Sequence, residues 1–386
     1  FFMKKLISIA LSLAVLSSAS GIVFADEAVT TNNIELNTGL NNDAKETIVE
    51  KKQLITVDHK LDVRRISGKD RYGTALEISK YYFKGSNIVV VASGKDYIDA
   101  LVGGSLVSQI KVPLLLVNKD NVRNDVLQEI KRLNAKNVII LGGTNTVSNA
   151  VEKKFLSQGY NVERLAGENR YATAQKIAYA RYYYNGANTS NPMGEQFVGI
   201  NSKNYPDALI AGAIVGQIRG NILSYIVPNS TNLIPSNPFW LVFGGVNSVP
   251  KGPAEQKRVE GADRYETSVR GARMFEELTG TPLKTIILAD GRNYPDALAS
   301  STIAGLKNAT VVLTRNNRLP NSVINLLNEG NIDNVIIVGG ENSVNKSIED
   351  QLKNMVIKKQ KEVVITPENS AKTSTEKIED TTPAQQ

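Results

Sequence analysis

The sequence predicts an α/β protein whose body is three tandem doubly wound modules, each a three-layer sandwich with helices on both faces of a small sheet. Three observations carry this prediction. A set of motif blocks recurs three times in the same order. Short β-branched apolar runs bounded by Gly, Pro and Asn alternate with stretches of helical period. The apolar runs lack a polar face, as strands of a parallel sheet covered on both sides should.

The chain begins with Lys4-Lys5, an apolar run from Leu6 to Leu16, and small residues leading to Ala25-Asp26. This is the pattern of a secretory signal peptide over 1–25, cleaved after Ala25. The run is short for a membrane span, so a secreted chain without a membrane attachment after cleavage is expected. Residues 26–60 read as a polar linker and 358–386 as a disordered polar tail. Between them the modules fall at 61–157, 158–254 and 255–357.

The first block is Gly68-Lys69-Asp70-Arg71-Tyr72-Gly73-Thr74, matched by Gly167-Glu168-Asn169-Arg170-Tyr171-Ala172-Thr173 and Gly261-Ala262-Asp263-Arg264-Tyr265-Glu266-Thr267. An Arg precedes each, at 65, 164 and 258. Asp70, Asn169 and Asp263 are good N-caps, so Arg-Tyr should open a helix. The second block follows an apolar strand: Lys95-Asp96-Tyr97-Ile98-Asp99-Ala100-Leu101, then Lys203-Asn204-Tyr205-Pro206-Asp207-Ala208-Leu209, then Arg292-Asn293-Tyr294-Pro295-Asp296-Ala297-Leu298. It should start a helix whose small residues permit close packing. The third block is a strand ending in Gly142-Gly143, Gly244-Gly245 or Gly339-Gly340, with Val147, Val249 or Val344 shortly after. Strands are expected at 88–92, 114–117 and 138–141. Helical patterns at 122–133 and 319–327 have no counterpart in 222–239, so that helix should be lost or reduced in the second module.

Composition excludes several chemistries. Cysteine is absent, which removes disulfides and thiolate chemistry. A single histidine, His59, leaves no ordinary His-ligated metal site, and any Ser-His-Asp site would have to use it. It reads as a solvated linker residue. The glycine turns are neither GxGxxG nor Walker loops. No catalytic residue, metal or cofactor is expected. Residues 61–357 carry a net charge of +8, while 26–60 carry −3 and 358–386 are neutral. A basic secreted body implies an acidic partner, with wall polymer or phospholipid headgroups ahead of nucleic acid.

Taken together, the three motifs in fixed order make the chain resemble the cell wall binding repeat 2 family, found three in tandem in secreted clostridial-type surface proteins. The resemblance covers about 61–357. It implies modules arranged around a pseudo-threefold axis and non-covalent anchoring at the Gram-positive cell surface through an anionic secondary wall polymer. Other surface-layer proteins are further candidate partners. A second implied role is non-catalytic stimulation of a separate peptidoglycan hydrolase. Family members usually carry a second domain, for which 26–60 and 358–386 are too short. The family's Leu-rich strand motif, associated with polymer binding, corresponds to Leu114-Leu115-Leu116. The second module departs from it at Ile222-Leu223-Ser224, and the third offers Val311-Val312-Leu313.

Two readings compete for Arg71, Arg170 and Arg264. They are candidates for bidentate contact with polymer phosphate or carboxylate. One Asp per module, at 99, 207 and 296, favours instead an ion pair inside each module. Lys69, Lys95, Lys203 and Arg292, beside the blocks, are the preferred polymer contacts. Asp99, Asp207, Asp296 and the paired glycines read as motif scaffold, the glycine turns having anion binding by backbone N–H groups as an alternative. Tyr81-Tyr82 and Tyr182-Tyr183-Tyr184 end the first helix of two modules, where packing under a loop is favoured over stacking on sugars.

Overall fold

A computed structural model describes residues 51–184, 195–201, 205–218, 223–229, 239–251, 255–292 and 295–365. The expected signal peptide and the segment 26–50 lie outside these residues, as do Lys203 and 230–238.

The described chain opens with β1 (Lys51–Lys60). The first repeat follows as β2 (Asp62–Ile66), α1 (Arg71–Tyr82), β3 (Ile88–Ser93), α2 (Tyr97–Ile110), β4 (Leu114–Val117), α3 (Asn124–Arg132), β5 (Asn137–Leu141) and α4 (Asn149–Ser157). The second supplies β6 (Asn161–Leu165), α5 (Arg170–Tyr184), β7 (Glu195–Asn201), α6 (Tyr205–Val215), β8 (Leu223–Asn229) and β9 (Phe239–Phe243). The third supplies β10 (Lys257–Val259), α7 (Arg264–Arg273), α8 (Phe275–Thr279) and β11 (Thr285–Asp290). After a 3₁₀ turn at Asp296–Ala299 come α9 (Ser300–Lys307), β12 (Ala309–Thr314), α10 (Asn321–Asn328), β13 (Asn334–Val338) and α11 (Lys346–Asn354), and the chain returns as β14 (Val356–Ile365).

The expected strands and helix starts are present for physical reasons visible in the sequence. Asp70 caps α1, accepting from the Gly73 N–H at 2.7 Å. Asn169 does the same for Ala172 at 2.9 Å, and Asp263 caps α7 through the Tyr265 and Glu266 N–H groups. Residues Val89–Val91, Val138–Leu141 and Ile286–Ala289 are almost completely buried, which accounts for their unbroken apolar pattern. The helix expected to be missing from the second repeat falls partly on undescribed residues; of that stretch, 223–229 is strand.

Three four-stranded parallel sheets result, with orders β4-β3-β5-β6, β8-β7-β9-β10 and β12-β11-β13-β2. In each, the fourth strand belongs by sequence to the next repeat. Thus β6 pairs with β5, β10 with β9, and β2 of the first repeat closes the cycle by pairing with β13 of the third. The sheet boundaries therefore run across the sequence repeats.

The repeats also meet through their second helices. A Cβ added at Gly104 would lie 3.2 Å from Ser301 Cβ and 3.4 Å from Gly212 Cα. These three residues occupy the same position, five after the repeated Asp, in α2, α6 and α9. One at Gly212 would lie 2.5 Å from the Leu101 carbonyl oxygen. The small residues thus serve contact between repeats as well as packing on the sheet. One apolar cluster accordingly draws on all three repeats, among them Leu106, Ile214, Val269 and Ile303.

The flanking segments depart from the sequence reading. Residues 51–60 and 356–365 are an antiparallel two-stranded ribbon, with Thr56 opposite Gln360. Its inner face carries Ile55, Val57 and Ile357 and its outer face Leu54, Thr56 and Asp58. The period-2 pattern was masked by the polar composition of both segments. His59 is therefore a strand residue, with Nε2 3.4 Å from Asp333 Oδ1, rather than a solvated linker side chain.

Candidate functional site: clefts between successive repeats

All three motif blocks follow the C-terminal ends of parallel strands. Because of the strand exchange, each set of blocks that comes together is drawn from two repeats. The Asp of the second block and the glycine pair of the third come from one repeat. The Arg-Tyr block comes from the next.

The joint between the third and first repeats shows the arrangement. Asp296 Oδ1 accepts a hydrogen bond from Thr74 Oγ1 at 2.9 Å, and Oδ2 accepts one from Ser343 Oγ at 2.6 Å. Thr74 belongs to the first repeat and Ser343 to the third. The Gly68 N–H in turn donates to Thr74 Oγ1 at 3.1 Å. At the second joint Ser248 Oγ donates to Asp207 Oδ2 at 3.0 Å, and at the first Thr146 Oγ1 lies 3.3 Å from Asp99 Oδ2. Burial pushes the Asp207 carboxyl up to about 6, against the pull of Ser248 and Arg264. Burial also raises the Asp99 carboxyl, with Thr146 and Arg170 pulling it down.

Those electrostatic partners correct the intramodular ion pairs expected from sequence. Asp99 faces Arg170 and Asp207 faces Arg264, each in the following repeat. Arg71 lines the same cleft as Asp296. Within their own repeats, the Arg71 and Arg264 side chains each reach a carbonyl at the end of a strand. Arg71 Nη1 donates to the Gly94 oxygen at 2.5 Å and Arg264 Nη1 to the Gly291 oxygen at 2.6 Å. The strand exchange brings the next repeat's Arg over the carboxylate, and sequence distance concealed this.

The residues that clamp each joint were not singled out from sequence. Arg65 donates to Glu349 Oε2 and the Gly339 carbonyl, both at 2.8 Å. Arg164 holds Glu152 and the Gly142 and Val147 carbonyls, and Arg258 holds Glu255 and the Gly244 and Val249 carbonyls. Each therefore ties its strand to the glycine turn of the preceding repeat. Their signal was present, since an Arg stands before every first block.

The two glycines of each pair differ. Gly142, Gly244 and Gly339 have φ of 98°, 112° and 116°, where side chains are strained. A Cβ on them would lie 2.2, 2.4 and 3.0 Å from Oδ2 of Asp99, Asp207 and Asp296. Gly143 and Gly340 meet nothing within 4 Å, and Gly245 meets only Glu260 Oε2 at 3.7 Å; none has positive φ.

Clefts open over two of these joints. That between the second and third repeats has a volume of about 420 Å³ and is lined by Asp207, Gly245, Glu260, Asp263 and Arg264, among others. That between the third and first has about 360 Å³ and includes Lys69, Asp70, Arg71, Asp296 and Gly340. Both linings mix acids with bases. Asp70 is itself bound to Arg123 at 2.8 Å.

The remaining candidates are distributed as follows. Lys69 and Lys95 are exposed, and Arg292 is exposed with Nε 3.5 Å from Asp290 Oδ1. Leu114, Leu115 and Leu116 are at most 1% exposed, lying in β4 with side chains in the core on both faces. The expectation that these side chains contact polymer is corrected accordingly. Tyr182 is buried, whereas Tyr81 and Tyr183 are exposed. Among the described residues no group of three or more His, Cys, Asp or Glu is placed to hold a metal, and no helix is long and apolar enough to cross a membrane.

Fold and joints define a class: a tandem α/β repeat protein that closes its own cycle of strand exchange and presents clefts at the repeat junctions. The chain belongs to the cell wall binding domain 2 family (CWB2), whose description matches residues 65–152, 164–252 and 258–349. It is 30% identical over 309 residues to the N-acetylmuramoyl-L-alanine amidase LytC of Bacillus subtilis, covering 76% of this chain and 59% of LytC. It is 24% identical over 306 residues to the amidase enhancer of the same organism, covering 77% of this chain and 41% of that protein. The chain thus spans about half the length of these curated relatives. The solved structure of Cwp6 from Clostridium difficile shares the fold, with a TM-score of 0.64, 24% identity, and coverage of 76% of this chain and 48% of that one. Wall association follows from the family.

Proposed function

We propose that residues 61–357 anchor a secreted protein to the bacterial surface by holding an anionic secondary wall polymer, without catalysing a reaction. Sugar units of the polymer lie in the inter-repeat clefts, where carboxylates and backbone groups meet hydroxyls. Its anionic groups lie against Lys69, Arg71, Arg170, Arg264 and neighbouring cations. The observation that carries this reading is the second glycine of each pair. The chain itself places no steric demand at 143, 245 or 340, yet all three repeats keep Gly there. A ligand approaching the backbone closely supplies the missing demand. The net charge of +8 over 61–357 supports an acidic ligand.

The test is a triple variant, Gly143→Leu, Gly245→Leu and Gly340→Leu, followed by sedimentation with purified walls. A Cβ at 143 or 340 meets nothing within 4 Å and one at 245 only an ordinary contact with Glu260, so the melting temperature should stay unchanged while retention on walls is lost. Retention equal to that of the unmodified protein would remove the clefts from the binding surface.

A second reading, stimulation of a separate peptidoglycan hydrolase, is favoured by the similarity to the amidase enhancer. It shares the wall attachment and adds a partner. Hydrolysis of walls by an added amidase, measured with and without this protein, separates the two: an unchanged rate leaves anchoring alone.

A further inference from the structure

A third cavity lies away from the motif clefts, at the N-terminal ends of the strands in the sheet that joins the third and first repeats. It has a volume of about 160 Å³, on the scale of one sugar ring. The first residues of three parallel strands, Asp62, Thr285 and Asn334, form its polar floor. Tyr81 and Tyr82 come in from the end of α1, Lys307 from the end of α9, and Arg64 from β2.

We propose that this cavity binds a single sugar residue bearing one anionic substituent, a phosphate or a carboxylate. Two cations stand beside one acid. Among the described residues neither Arg64 nor Lys307 forms a salt bridge. The Arg64 guanidinium rests 4.9 Å from the Tyr81 ring centroid and bonds the Tyr81 hydroxyl, and the Lys307 ammonium lies 5.7 Å from the Tyr82 centroid. Tyr81 is 53% exposed, which leaves aromatic surface for the apolar face of a sugar. Burial, with a contribution from Tyr81, pushes the Tyr82 hydroxyl up to about 12, so it remains a proton donor at neutral pH. Asp62, Thr285 and Asn334 supply the mixed acceptors and donors that hydroxyl groups require.

Internal comparison shows that the fold does not need this set. The positions of Arg64, Tyr81 and Lys307 are held by Glu163, Ala180 and Ile110 at the first joint. At the second joint they are Lys257, Met274 and Ile218. The same scaffold thus stands with an acid at the Arg64 position and apolar residues at the other two, or with Lys257 as its one cation, and the full set of two cations with Tyr81 occurs once.

The test is saturation-transfer difference NMR on the full chain with glucose 6-phosphate, glucuronate, glucose and inorganic phosphate. Both acidic sugars should receive saturation at their ring protons, with glucose at least tenfold weaker. Inorganic phosphate should displace glucose 6-phosphate only at far higher concentration. The double variant Arg64→Glu and Lys307→Ile installs residues that the first joint already carries, so it should fold. It should lose at least tenfold in affinity for both acidic sugars, and adding the same two substitutions to the triple Gly→Leu variant, whose changes lie in the motif clefts, should abolish the binding that variant retains. The proposal is overturned if neither acidic sugar receives saturation, or if the double variant binds as before. It is also overturned if phosphate competes as well as the sugar phosphate, or if the Gly→Leu variant abolishes binding.

Discussion

Asp296 accepts hydrogen bonds from residues that lie 222 positions upstream and 47 downstream. At the residue scale this explains why one Asp persists in every repeat: it is a node between two repeats, half-buried at 99 and 296 and buried at 207. The glycine turn is shaped around it, and a Cβ at 142 would fall 2.2 Å from the Asp99 carboxylate. Gly142→Ala should therefore cost about 2–4 kcal/mol through strain at positive φ and the clash, seen as a clear drop in melting temperature. Gly143→Ala should leave the melting temperature in place. Protonation gives a second prediction. The Asp207 carboxyl sits at about 6 rather than 3.8, so the folded state holds a proton that the unfolded chain releases. This stabilisation is complete below pH 3.8, fades as the pH rises, and is gone above about 6. A shift of this size is worth about 3 kcal/mol. Carbon-13 NMR of the carboxyl should show a midpoint near pH 6, and Asp207→Asn should remove that step from the pH dependence of unfolding.

At the scale of elements, the exchanged strands are the main feature. β2 is first in its repeat by sequence and last in the third repeat's sheet. Removal of residues 51–66 should therefore expose the edge of β13, and amide exchange should rise there before it rises in β3 or β5. The clamps make a related prediction. Arg258 and Glu255 have side chains only 8% and 7% exposed. Arg258→Met leaves that carboxylate buried and unpaired and should cost about 3–5 kcal/mol, measurable by denaturant unfolding. Much of this level was legible in the sequence. Unbroken apolar runs marked strands such as β3 and β5, and Asp70 and Asp263 marked helix starts. The exchange was not legible, because a hydrophobic period assigns a strand to a sheet but not to a neighbour. The β1–β14 ribbon was missed because its inward residues, Ile55, Val57 and Ile357, are diluted among Lys, Gln and Asp. The site was legible as residue types in a fixed order. Which repeat each residue faced, and the burial of Leu114 to Leu116, required the fold.

At the scale of the molecule, strand exchange ties the three sequence repeats together, and the largest apolar cluster draws on all of them. The same closure generates the clefts, so a ligand that engages them reads two repeats at each contact. Several weak contacts on one polymer add as linked sites, and retention should exceed the strength of any single cleft. The ionic share of that attachment should weaken with salt, since exposed cations are screened within about 10 Å at 0.1 M. The most direct measurement is sedimentation of the purified protein with intact walls and with walls chemically stripped of anionic polymer, at matched peptidoglycan. Protein in the pellet with intact walls and in the supernatant with stripped walls is the predicted result. Equal recovery in both pellets would contradict the account.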